Sequence, residues 1–247
     1  MFPIRDHNPS GRTPYVTFAL IAINVLVFLG YFTTLSEWDL NGFFMTWGLV
    51  PARFLQGEGL ETIFTSMFLH GGWMHLAGNM LFLWIYGDNL EEEMGPVGFL
   101  IFYLACGVAA GLAQALPDPG SPIPMVGASG AIAGVMGGYL LMFPKAKVDV
   151  LFIFVIFFRI FAIPAWIVLG LWLAIQIGSG VAVPGEEGGV AYWAHVGGFV
   201  AGLVLTLPVW LRRGARGYWQ QTAGHPPHPE TQFKASRSNI PLVRRRR

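Results

Sequence analysis

Residues 127–143 read Gly-Ala-Ser-Gly-Ala-Ile-Ala-Gly-Val-Met-Gly-Gly-Tyr-Leu-Leu-Met-Phe, and Pro144 follows directly. The run is uncharged and places Gly130, Gly134 and Gly138 four residues apart, on one face of a helix whose backbone can approach a neighbour closely. Pro144 cannot continue a helix. The stretch therefore predicts a short, glycine-faced helix opened by Ser129. Its setting is a membrane. Of 247 residues, 54% are apolar and only 12% charged, with a mean hydropathy of +0.54, against about 45–50% and about 25% in soluble domains.

Working outward, apolar runs suited to roughly 30 Å of hydrocarbon cover residues 14–32, 73–86, 97–116, 129–143, 163–177 and 191–211. The expected fold is an all-α bundle of six transmembrane helices over 14–211. A cytoplasmic segment, 1–13, precedes it, and a basic tail, 212–247, follows. The N-terminus lacks the early apolar run and cleavage site of a secretory signal, so the first run is expected to stay as a span. Residues 148–161 are apolar but carry Arg159, and Ile163-Pro164 biases the backbone away from helix; they read as interfacial or re-entrant. Residues 33–72, with Trp38 and Trp47, read as resting in the membrane interface. The tail, rich in Pro, His, Ser and Arg, cannot bury a core and is expected to be disordered near anionic lipid. Cys106 is the single cysteine, so no intrachain disulfide forms.

Positive charge sets the orientation. Six spans put both ends on one side, which carries Arg5, Arg12, Lys145, Lys147, Arg212, Arg213 and Arg216, leaving Arg53 opposite and Arg159 interfacial. Both termini are thus expected in the cytoplasm, with the acidic loop 88–93 beside them.

The carboxylates fall in loops, tails or boundaries, which removes aspartyl-dyad proteolysis and carboxylate proton relays. Polar groups at depth are His70, His75, Asn79, Ser129 and His195. Ionisable residues there are costly enough to be functional candidates. Counting back at about 1.5 Å per helical residue puts Ser129 about 24 Å, His195 about 26 Å and His75 about 20 Å from the inner boundary. Asn79 lies about one turn deeper than His75. A serine among small residues is commonly a packing residue, and a histidine can simply bond across helices. Here, however, Ser129 and His195 each open a small-residue face at equal depth, which favours chemistry. A nucleophilic serine needs a base and donors for the oxyanion. His195 supplies the base; Asn79, His75, His70 and the Ser129 backbone N–H are candidate donors. Without a buried carboxylate this is a Ser-His dyad. A metal reading of the histidines is weaker, because no His-Glu-x-x-His or completing carboxylate is present. His7, His225 and His228 read as solvated.

The strings Ile23-Asn24-Val25, the run 65–79 (Thr-Ser-Met-Phe-Leu-His-Gly-Gly-Trp-Met-His-Leu-Ala-Gly-Asn), Gly87-Asp88-Asn89-Leu90-Glu91, Gly127-Ala128-Ser129-Gly130, Ile163-Pro164-Ala165-Trp166 and Ala194-His195-Val196-Gly197-Gly198 together resemble the rhomboid family over residues 13–211. The resemblance implies an intramembrane serine endopeptidase without cofactor, metal or nucleic acid. Its nucleophile would be Ser129 and its base His195, with an oxyanion site of the Ser129 amide, His70 or His75, and Asn79. Its substrates would be other membrane proteins, cut in or near transmembrane segments after a small residue. Bacterial members place an aromatic residue four positions after the serine to pack near the histidine; Ala133 stands there, and Trp193 is the expected substitute. The Gly-rich stretch 178–189 is expected to cap the site, and the fifth span to admit substrate laterally. The competing readings are a helix-binding pseudoprotease and a small transporter. The span count and the absence of a presequence suggest a bacterial inner membrane.

Overall fold

A computed structural model describes residues 2–154, 157–182 and 190–225. Strand β1 (Phe2–Asp6) leads into α1 (Tyr15–Phe32), followed by the short helices α2 (Glu37–Trp47), α3 (Pro51–Phe54) and α4 (Thr62–Thr65). The long helices α5 (Trp73–Met94) and α6 (Pro96–Ala115) precede α7 (Ser129–Met142). Strands β2 (Lys147–Phe154) and β3 (Phe157–Pro164) come next, then α8 (Ala165–Ala182), α9 (Tyr192–Arg212) and α10 (Arg216–Thr222). By length and composition α1, α6, α8 and α9 can each cross a membrane, while α7 is a shorter apolar helix.

Helix α7 is the centre, packed among α5, α6, α8 and α9, with residues 130–139 all buried. Its 14 residues reach only about 21 Å. That suffices because protein, rather than lipid, surrounds it. The contact with α9 is backbone to backbone: a Cβ on Gly198 would strike the Gly130 carbonyl, and one on Gly202 the Gly134 carbonyl. Glycine on both helices is thus what brings the Ser129 and His195 ends together.

Two expectations are corrected. The acidic residues 88–93 are not a loop but the last turns of α5. There the buried Glu91 carboxylate accepts from Val16 N, Thr17 N and Thr17 Oγ1 at 2.8–2.9 Å, satisfying orphan donors at the α1 N-terminus. Residues 148–154 and 157–161, expected to be interfacial or re-entrant, form most of an antiparallel hairpin, and the chain is predominantly helical rather than all-α. Val, Ile and Phe favour extended backbone, and the hairpin ends at the Pro164 that limits helix on its N-terminal side. Within the segment 1–13, β1 completes a three-stranded sheet in the order β1-β2-β3, pairing Phe2 with Leu151 and Asp6 with Val148.

Asp149, 4% exposed, accepts from Arg5 Nε and Nη2 at 3.0 and 2.6 Å and lies 2.8 Å from His7 Nε2. Tyr139 Oη donates to Asp6 at 2.7 Å, and Arg213 Nε to Glu93 at 2.7 Å. The basic segments counted in the sequence thus gather at one end, opposite Ser129. Of the tail, α10 is helical and its Trp219 indole donates to the Leu141 carbonyl at 3.0 Å; residues 226–247 lie outside the described residues.

Candidate active site

Ser129 is the first residue of α7, so its backbone N–H has no partner within the helix. The loop before it is tied down by a bridge between Leu49 and Met125 and by Gly127 N donating to the Ser66 carbonyl at 2.9 Å. His195 lies in the first turn of α9, where Gln114 of α6 accepts from Ala194 N at 3.1 Å. These supports place His195 Nε2 2.8 Å from Ser129 Oγ. A hydroxyl held against an imidazole in this way can be deprotonated as it attacks a carbonyl.

The other face of the imidazole belongs to α8. Gln176 Oε1 lies 2.7 Å from His195 Nδ1, and the Trp172 ring sits 5.6 Å from the imidazole, centroid to centroid. Aromatic support of His195 therefore comes from Trp172 and not from the expected Trp193, which lies against Gly180. Trp172 and Gln176 are one turn apart on the buried stripe of α8, with Leu169 and Gly180, so they reach the same neighbour.

The remaining candidates approach from α5 and the turn just before it. His75 Nδ1 accepts from Gly71 N at 3.3 Å; the neutral ring then carries its proton on Nε2. That nitrogen points toward Gly127: a Cβ there would lie 2.8 Å from His75 Nε2 and 3.6 Å from Ser129 Oγ. Gly127, at φ +132°, is thus required both by its backbone and by the imidazole beside it. The His70 ring stands 5.1 Å from that of His75, and its backbone is clamped by Tyr31, whose hydroxyl donates to His70 O at 2.7 Å and accepts from His70 N at 2.6 Å. His70 is fully buried, yet neither ring nitrogen has a hydrogen-bond partner among the described residues. The same holds for Nδ2 of buried Asn79. Ser129, His195 and His75 are therefore brought together; His70 adjoins through His75, and Asn79 follows one turn along α5.

Gln176, Trp172 and Tyr31 are not singled out by the sequence. The available signal for Gln176 is a lone amide in the apolar stretch of α8. The expected cap, 178–189, is helical as far as Ala182, and 183–189 lie outside the described residues. Among the described residues no three His, Cys, Asp or Glu side chains are grouped as metal ligands.

A family model described as Rhomboid domain matches residues 57–212. The mitochondrial Rhomboid protein 1 of Saccharomyces cerevisiae is 29% identical over 196 residues, covering 76% of this chain and 51% of that protein. The rhomboid protease GluP of Bacillus subtilis is 34% identical over 153 residues, 62% of this chain and 27% of its own length. RHOMBOID-like protein 4 of Arabidopsis thaliana is 30% identical over 165 residues, 67% of this chain and 38% of its own. The chain thus spans about half, or less, of the curated relatives it matches.

Proposed function

The chain belongs to the rhomboid family, and from that premise we propose that it is an intramembrane serine endopeptidase that cuts transmembrane or juxtamembrane segments of other membrane proteins. The observation that carries this reading is the 2.8 Å contact between His195 Nε2 and Ser129 Oγ. Ser129 Oγ attacks the scissile carbonyl while His195 takes its proton. The carbonyl oxygen becomes an oxyanion facing the Ser129 N–H, His75 Nε2–H and the Asn79 amide. Collapse expels the amine, which receives the proton from His195, and leaves an acyl ester on Ser129. Water, deprotonated by the same imidazole, then releases the acid product. Of the two histidines offered as oxyanion donors, His75 is preferred, because its Nε2 lies on the Gly127–Ser129 side.

Cleavage after a small residue fits the narrow cavity beside Ser129, lined by Met67, Gly107, Ala110, Gly130 and Ala194. Helices α1, α5, α6, α7, α8 and α9 serve as six spans. The positive cluster around β1, β2 and α9 supports a reading with both termini in the cytoplasm, and the membrane is read as a bacterial inner membrane.

The test is cleavage of a single-span substrate by the purified protein, its Ser129→Ala and its His195→Ala variants. Cleavage by the wild type alone is expected. Equal cutting by all three removes the dyad. No cutting of several substrates by folded protein replaces the protease with a helix-binding pseudoprotease.

A further inference from the structure

Gln176 is a buried amide, 8% exposed, on a helix whose other buried residues are Ala165, Leu169 and Gly180. A polar side chain buried among apolar ones needs a partner. The partner is the imidazole that touches Ser129.

The two hydrogen bonds of that ring are not independent. An amide oxygen has no proton to give, so with the Gln176 amide assigned Oε1 toward the ring at 2.7 Å, the Nδ1 of His195 donates and Oε1 accepts. A neutral imidazole carries one N–H. With the proton on Nδ1, Nε2 keeps its lone pair and faces the Ser129 hydroxyl at 2.8 Å. The opposite tautomer would point an Nε2–H at Ser129 Oγ, and the ring could not accept the serine proton. As attack proceeds and Nε2 is protonated, the Nδ1–H bond to Gln176 persists, so the imidazolium forms without reorientation. The amide does this without placing a charge inside the membrane, where a carboxylate would be costly.

We propose that Gln176 is the positioning residue of this site, holding His195 in the base-competent tautomer from one turn beyond Trp172 on α8. The inference rests on the Ser129–His195 reading and adds a third member to it, a neutral amide.

The experiment uses full-length protein labelled with ¹⁵N-histidine in detergent micelles, with the His195→Ala spectrum identifying the His195 signals among six histidines. The same samples are assayed for cleavage and for labelling by a fluorophosphonate, a serine-directed probe. In wild type His195 is expected as the Nδ1–H tautomer. Gln176→Leu, close in volume and without an acceptor, is expected to show mixed tautomers and a roughly 10- to 100-fold lower kcat, with KM within about threefold. Gln176→Glu restores an acceptor and is expected to restore the Nδ1–H signature and to exceed Gln176→Leu in kcat. An unchanged tautomer and kcat in Gln176→Leu overturns the proposal, as does equal loss in both variants with the wild-type tautomer retained. Should Gln176→Leu fail to fold, Gln176→Glu and Gln176→Asn carry the same test, because a shorter amide that leaves His195 in the wild-type tautomer at full kcat also overturns it. Failure of the underlying reading looks different: Ser129→Ala and His195→Ala would cleave, or the probe would label Ser129→Ala as it labels wild type.

Discussion

His195 and His70 are both held within the helical bundle, yet their surroundings are opposite. Each ring nitrogen of His195 has a partner, Ser129 on one side and Gln176 on the other. The more deeply buried His70 has none for either nitrogen among the described residues, and its order comes from the backbone, through Tyr31. An imidazole with both nitrogens committed has a fixed tautomer and a defined job in proton transfer. The α5 side, with His75 and Asn79, presents N–H groups without an acceptor among the described residues. Uncommitted donors in a buried place cost free energy, and that cost is offset where a transition state develops charge against them. On the proposed reading, one side of the site moves a proton and the other receives an oxyanion.

This division can be broken in order of expected effect. His195→Ala is expected to reduce cleavage by more than about 10³-fold, since the serine loses its base; a gel-based kcat/KM measurement decides it. Next, Asn79→Ala and His75→Ala are expected to cost about 10²–10³-fold in kcat with little change in KM, whereas His70→Ala should cost less than His75→Ala, because His75 alone faces Gly127. Equal losses for His70 and His75 would move the donor role to the pair. Gly127→Ala combines a Cβ at φ +132° with a contact at 2.8 Å from His75 Nε2; a displacement of that order is expected to lower kcat by about 10²-fold while His195 keeps its tautomer by ¹⁵N spectroscopy.

Ser129 and His195 are legible in the amino-acid order because two helices count to the same depth and each begins a small-residue face. That is a one-dimensional property, and sequence carries it well. What sits beside His195 is a matter of rotation about α8, and Trp193, adjacent in sequence, is a weaker guide than Trp172 at helical spacing. The strand pair is hidden because an apolar run interrupted by Arg159 in a membrane protein reads first as an interfacial or re-entrant segment. Yet Lys147, Val148, Asp149 and Val150 in succession fit no single helix face, and all but Lys147 are buried, as in a strand covered on both sides. The basic residues 5 and 213 can be counted for orientation, but their pairing with Asp149 and Glu93 joins residues up to 144 positions apart and is invisible in the linear chain.

At the end of the bundle where these pairs lie, the contrast between committed and uncommitted groups reappears, with smaller consequences. Glu91→Ala removes three hydrogen bonds at the start of α1 and is expected to lower stability by about 2–3 kcal/mol with kcat unchanged, seen as a lower melting temperature in detergent.

Two aspartates of the sheet refine the contrast further. Burial pushes the Asp6 carboxyl up to about 7, against the opposing hydrogen bond from Tyr139. Asp149 is also burdened by burial, but its hydrogen bonds to Arg5 and His7 prevail and hold it below the usual range. The signs differ accordingly. The folded state binds the Asp6 proton more tightly than the unfolded chain, so that contribution is full below the ordinary value of 3.8 and is lost as pH rises through about 7. The contribution of Asp149 is present above its ordinary value and is lost as pH falls through its depressed one. Raising the pH from about 5 to about 8 is therefore expected to lower stability by about 1–2 kcal/mol, after discounting for the partial exposure of Asp6. Asp6→Asn should flatten that fall while leaving the acid side unchanged, and Asp149→Asn should remove the loss on the acid side alone. Melting temperatures across pH for the three proteins would reveal it, and an Asp6→Asn profile that still falls above about pH 5 would assign the alkaline loss to another group.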